Sequence, residues 1–160
     1  MFVGKKEGSK KGHILFGVVF IIGLLLSVWW QHTWPEERII VAQQELTLLV
    51  AKTPWHWQRG LGKRESLPDG IDGMLFVFPF SDRHGFVMRN MEFPLDILWI
   101  DNSIIVDIAP SVPTEPGIAE ERLTVYRPRQ EAQLVIELPA GWVEKHGVAI
   151  GDRIALPPRP

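Results

Sequence analysis

The feature that most constrains this chain is a run without a single charge, Ile14 to Trp30, reading ILFGVVFIIGLLLSVWW. Its roughly 17 positions would extend about 26 Å as a helix, at the short end of what crosses a bilayer. Lys5, Lys6, Lys10 and Lys11 precede it against Glu7 alone, a local charge of about +3, and Glu36 and Glu37 follow it. This asymmetry puts the N-terminus in the cytoplasm and the remainder in the periplasm or cell exterior. Trp29, Trp30 and Trp34 suit the far interface, where an indole sits at headgroup level. A cleaved signal peptide would carry a shorter apolar core and a small-x-small site. This run ends instead in Trp29-Trp30-Gln31-His32, so we read an uncleaved anchor. The expected organisation is a basic cytoplasmic stub over 1–12, a transmembrane helix over 13–30, a linker over 31–38 and an extracytoplasmic domain over 39–157.

The chain has 160 residues and a net charge of −2, so about −5 remains outside the stub. Such a domain is poorly matched to nucleic acid or anionic lipid. Its length allows one modest core beyond the anchor. The absence of cysteine excludes a disulfide scaffold, a thiol nucleophile, an iron–sulfur cluster and thiolate zinc.

Short apolar runs separated by turn chemistry predict strands over Leu46 to Ala51, Met74 to Phe78 (stopped by Pro79), Phe86 to Arg89, Leu134 to Leu138 and Arg153 to Leu156. Leu95 to Ile100 and Ile104 to Ala109 read as a hairpin around Asp101-Asn102-Ser103, each arm covered on both faces. Pro110 to Pro116, with three prolines, reads as a loop. Thr53-Pro54 begins a short helix as N-cap and first-turn proline, and Ala140 to His146 forms another, closed by Gly147. The expectation is therefore a mostly β, α+β class: one compact barrel-like domain with two short helices, preceded by the membrane helix. The alternation of a doubly wound sheet is absent.

Several blocks carry a resemblance. Gly60-Leu61-Gly62-Lys63-Arg64, Gly73-Met74-Leu75-Phe76-Val77-Phe78, Gly85-Phe86-Val87-Met88-Arg89-Asn90, and Pro94-Leu95-Asp96-Ile97-Leu98-Trp99-Ile100-Asp101 follow one another in order. Val135-Ile136-Glu137-Leu138-Pro139-Ala140-Gly141 and Gly151-Asp152-Arg153-Ile154 complete the series. The stretch from about Leu46 to Leu156 resembles the DUF192 family. That resemblance implies a small β-rich domain, often attached to a secretion signal or membrane anchor, with no established activity. The chain departs from the family pattern at Gly62, where methionine is usual. It departs again at Val87, Arg89 and Met91, where tryptophan, lysine and threonine are usual. Loss of that threonine hydroxyl argues against hydroxyl chemistry in the block.

Candidate site residues follow from polar groups set in apolar strands. Arg89, Asn90 and Asp96, beside Glu137 and Arg64, form either a ligand clamp or an internal ion-pair network that fixes strand packing. With Met74, Phe86, Met88 and Trp99 they outline a shallow apolar cleft. Trp57 shares a helix face with Leu61 and is expected inward, leaving Trp55 either exposed or covered by another loop of the domain. No metal or cofactor is expected. His13, His32, His56, His84 and His146 show no ligand spacing, Gly62-Lys63 lacks the phosphate-loop pattern, and no serine sits in G-x-S-x-G. The functional expectation is a membrane-anchored binding or accessory module. Its partners would be the membrane through the N-terminal helix, and a small molecule, a glycan or an envelope protein. The alternatives are an envelope hydrolase using Asp96 or Glu137 as general base, and a purely structural envelope protein.

Overall fold

The computed structural model describes residues 13–23 and 34–155, in two units divided after Trp34. In the first unit, residues 13–23 are helical (α1). Among the described residues no helix is long and apolar enough to cross a membrane. The stub and residues 24–30 of the apolar run lie outside them.

The second unit is a β-rich α+β domain built on one seven-stranded sheet. Its strands are β1 (Glu36–Val41), β2 (Gln44–Ala51), β3 (Gly73–Asp82), β4 (Leu95–Asp101), β5 (Ile104–Val112), β6 (Ala132–Pro139) and β7 (Ile154–Ala155). They lie in the order β5-β4-β6-β3-β2-β1-β7. Every pairing is antiparallel except β2 with β3, where Leu48 faces Gly73 and Ala51 faces Phe76. Parallel strands cannot be joined by a tight turn. Residues 52–72 therefore travel over one face, carrying α2 (Pro54–Arg59) with them. The sheet curls into a half-barrel, and its two edges meet at one end. There Ile105 N–H donates to Asp152 O (2.9 Å), Gly151 N–H to Ile105 O (2.8 Å) and Ile154 N–H to Ser103 O (3.0 Å).

Alternation along the strands makes two apolar faces. Leu48, Leu75, Leu98, Ile100, Ile136 and Leu138 form one core with Ile39, Val41 and Val143, the last supplied by α3 (Trp142–His146). Met74, Phe76, Ile97, Trp99 and Val135 bury the other face. Gly73 leaves no room for a side chain, since a Cβ there would lie 2.1 Å from Glu137 O.

Local chemistry forms several expected elements. The Thr53 hydroxyl accepts from His56 N–H (3.3 Å) with Pro54 in the first turn, capping α2. Asn102 (φ 48°) and Ser103 (φ 64°) turn the β4–β5 hairpin. Gly147 in the left-handed region closes α3 by donating to the carbonyls of Glu144 and Val143.

Four expectations are corrected. Glu36, Glu37 and Arg38 are not linker but pair with Leu49, Leu48 and Thr47. β3 continues through Pro79 to Asp82, because its ladder with β6 is interrupted between Val77 and Asp82 and no bond there needs the missing N–H. Phe86 to Arg89 is no strand, since only Phe86 is bridged, to Tyr126, before the chain turns at Met88–Met91. β5 runs through Pro110 to Val112 as an edge strand with one face half-exposed, whereas β4 is covered on both faces. A 3-10 turn at Glu120–Arg122 is unanticipated.

Candidate functional site

A cavity of about 220 Å³ opens between the crossover segment and the second sheet face. Its wall is aromatic: Trp57 from α2, Phe76 and Phe78 from β3, then His84 and Phe86 from the following loop. The rings support one another. His84 stacks on Phe78 with centroids 3.7 Å apart, Trp57 lies 5.1 Å from Phe78, and Phe86 meets Phe76 edge-on at 4.9 Å. Trp57 is anchored by its indole N–H, which donates to Ala51 O (3.0 Å). Trp99 lies beneath, 1% exposed, edge-on to Phe86 and donating its indole N–H to His84 O (3.0 Å). It thereby fixes the loop that presents His84.

Glu137 reaches this cavity from β6. Its strand neighbours are Met74 on one side and Ile97 on the other, both buried. Its Oε2 is buried with no hydrogen-bond partner among the described residues. Burial pushes the carboxyl from the usual 4.5 up to about 8, because a charge there would lose its hydration without a countercharge in exchange.

Arg89 stands at the mouth. One guanidinium nitrogen donates to Gln58 O (3.4 Å), and another pairs with the exposed Glu120. The loops on either side are joined: Lys63 N–H donates to Asn90 O (2.7 Å), and a Cβ on Gly62 would lie 2.8 Å from Arg89 O. Glycine at 62 lets the two backbones touch, bringing Arg59 and Lys63 beside Arg89. A second cavity of about 240 Å³ shares Gln58, Arg59, Gly62 and Arg89 with the first and adds Trp55, Lys63, Asn90 and Glu120. Arg64 is half-buried outside both. Its guanidinium is held below its ordinary value by burial and then by the like charge of Arg59.

The structure thus brings Phe86, Arg89 and Glu137 to one cavity and Asn90 to the adjoining one, with Met74, Met88 and Trp99 buried. Asp96 is elsewhere. It pairs with Leu138 on β6, one residue out of phase with Glu137, so its side chain lies on the opposite sheet face. Its carboxylate is committed there to three backbone N–H groups: Ser111 (2.7 Å) and Gly141 (3.2 Å) on Oδ1, and Val143 (2.8 Å) on Oδ2. It fastens β5 and the start of α3 to β4. Sequence reasoning passes over Arg59, Phe76, Phe78, His84 and Glu120 as site residues. A usable signal was Phe76 and Phe78 in the same phase as Met74, opposite the inward Trp57. Trp57 is half-buried in the cavity wall and Trp55 is 39% exposed, as helix geometry predicts. Among the described residues no group of three or more His, Cys, Asp or Glu is placed to hold a metal ion.

The family model for DUF192, described as an uncharacterized ACR, matches residues 38–156. No curated protein matches the chain. A crystal structure of a candidate transcription regulator from Sinorhizobium meliloti 1021 is similar at 30% identity and a TM-score of 0.66, covering 78% of this chain and 95% of that one. A protein of unknown function from Novosphingobium aromaticivorans DSM 12444 is similar in fold, at 23% identity and a TM-score of 0.62, covering 76% of this chain and 84% of that one. The chain belongs to the DUF192 family.

Proposed function

We propose that this DUF192 member is a membrane-tethered, extracytoplasmic binding module whose small-molecule ligand enters the aromatic cavity between Arg89 and Glu137. One observation carries the reading: Glu137, whose buried Oε2 has no hydrogen-bond partner among the described residues, lines an open, aromatic-walled cavity. A buried polar group normally has a partner, and leaving it without one costs about 1–3 kcal/mol. A bound ligand supplying that hydrogen bond recovers the cost. Asp96 cannot be the polar partner of Arg89, since its oxygens serve the opposite face. Support for the tether is the charge-free run, the preceding lysines and the following glutamates.

The test is a thermal-shift screen of the full chain in neutral detergent against envelope metabolites and short glycans, with Arg89→Ala alongside. A ligand at a hundredfold over its Kd adds about 2.7 kcal/mol, a readable shift for this size. A stabilising compound whose effect disappears in Arg89→Ala supports the reading; identical responses from two folded proteins refute it. A reporter enzyme active only outside the cytoplasm, fused after Pro160, tests the orientation, and a silent fusion rejects the proposed topology.

A hydrolase reading draws on one specific observation, the Glu137 carboxyl raised to about 8 in an open cavity, which suits proton transfer near neutrality. Turnover of a chromogenic ester or glycoside, absent in Glu137→Gln, would favour it over simple binding.

A further inference from the structure

We infer that the cleft takes a small organic anion, its planar or apolar body against the aromatic wall and its anionic head among Arg59, Lys63 and Arg89. This rests on the binding reading and names the ligand class. Three cations converge on two adjoining cavities from two stretches of the chain: Arg59 ends α2 and Lys63 follows it in the same crossover, while Arg89 lies in the loop after β3. Among the described residues Arg59 and Lys63 form no ion pair, and Arg89 pairs with Glu120, which is largely exposed. Around the two cavities three cations stand against Glu120 and Glu137 in a chain of net charge −2, while Glu92 and Glu115 join Lys63, Arg89 and Glu120 around a third cavity. The cations act on Arg64, whose guanidinium feels the charge of Arg59. Guanidinium groups match a carboxylate or phosphate fork by two parallel hydrogen bonds.

Size agrees. About 220 Å³ lies below the range of about 300–1,000 Å³ usual for drug-sized ligands, so the first cavity admits one ring or a short chain. The walls from Trp57, Phe76, Phe78, His84 and Phe86 suit a flat or apolar body.

Glu137 distinguishes an anion from a cation. With its proton on, it donates a hydrogen bond to an anionic or neutral oxygen; ionised, it would repel the anion. The charged and titratable groups facing the same cavity are Arg59 on α2 and His84 and Arg89 on the loop after β3, with Lys63 and Glu120 at the mouth. A cationic ligand would have to pass Arg59 and Arg89 to reach a carboxyl that burial keeps neutral at pH 7.

Benzoate, benzyl alcohol and benzylammonium share one body and differ in head charge. Calorimetric titration of the full chain in neutral detergent at pH 7 should show benzoate bound, benzyl alcohol at least tenfold weaker and benzylammonium not at all. Arg59→Gln with Arg89→Gln, its fold checked by circular dichroism, should abolish the benzoate preference. Benzoate affinity should fall about tenfold from pH 7 to pH 9, as Glu137 loses its proton, and stay level in Glu137→Gln. Alcohol or ammonium binding as tightly as benzoate overturns the anion inference and leaves the binding reading intact. So does a benzoate preference that survives the double substitution. Affinity level with pH in the wild-type chain overturns the part assigned to Glu137. No probe binding the folded wild-type chain at millimolar concentration removes both readings.

Discussion

Replacing Glu137 by glutamine should stabilise the protein, by an amount that grows with pH. In the folded state the carboxyl keeps its proton to about pH 8, whereas an unfolded chain releases it near 4.5. Between those values the unfolded state binds fewer protons, so stability falls as pH rises. One pH unit is worth about 1.4 kcal/mol for a single site. The loss therefore accumulates to about 3 kcal/mol at pH 7 and about 4 kcal/mol at pH 8, and levels off at about 5 kcal/mol above that. Glutamine keeps the shape and carries no ionisable proton, so the two proteins should be equally stable near pH 4.5 and separate above it. For a domain of this size 3 kcal/mol moves the melting temperature by on the order of 10 °C. Urea denaturation of both chains at half-unit steps from pH 4.5 to 8.5 reads the difference directly. Parallel curves would refute the reasoning, because they require a Glu137 that ionises in the fold as it does in water. A variant less stable at pH 7 would point the same way, to an ionised carboxylate with a cation beside it.

Asp96→Ala leaves three backbone N–H groups without their acceptor and should cost about 3 kcal/mol or more; hydrogen exchange should show the amides of Ser111, Gly141 and Val143 losing protection first. A chain beginning at Ile39 lacks Glu36, Glu37 and Arg38, half of β1, and should melt below one beginning at Pro35 in the same calorimeter run. Gly73→Ala forces a Cβ against Glu137 O and should destabilise the domain by several kcal/mol, seen as loss of soluble protein or a lower urea midpoint.

Elements specified by local chemistry were legible: the Thr53-Pro54 start of α2, the Asn102-Ser103 turn and the Gly147 stop each depend on residues within a few positions. β1 was hidden because Glu36, Glu37 and Arg38 are exposed, leaving only the three residues Ile39, Ile40 and Val41 as an apolar signal. Phe86 to Arg89 misled because an apolar run reports burial, and burial here comes from ring packing under a loop, not from a ladder. Asp96 and Glu137 look alike in sequence, each a carboxylate in an apolar strand. What separates them is strand phase: Asp96 faces the backbone donors at the start of α3, Glu137 faces the cavity. Strand phase was available, but the register of β4 against β6 was not. The basic mouth was illegible for a related reason, since Arg59 and Arg89 are brought together by long-range contacts, of Gly62 with Arg89 O and of the Arg89 guanidinium with Gln58 O.

The parallel pairing of β2 with β3 has a further consequence. Any chain with that pairing must spend a connecting segment crossing a face, whatever the segment contains. Here that segment holds Trp57, Arg59, Gly62 and Lys63, while the sheet beneath it is specified by other residues. The cavity is therefore shared between the crossover, which supplies Trp57 and Arg59, and the sheet, which supplies Phe76, Phe78 and Glu137. Substitutions at Trp57 or Arg59 can thus reshape the outer wall of the cavity while leaving every strand residue of the sheet unchanged.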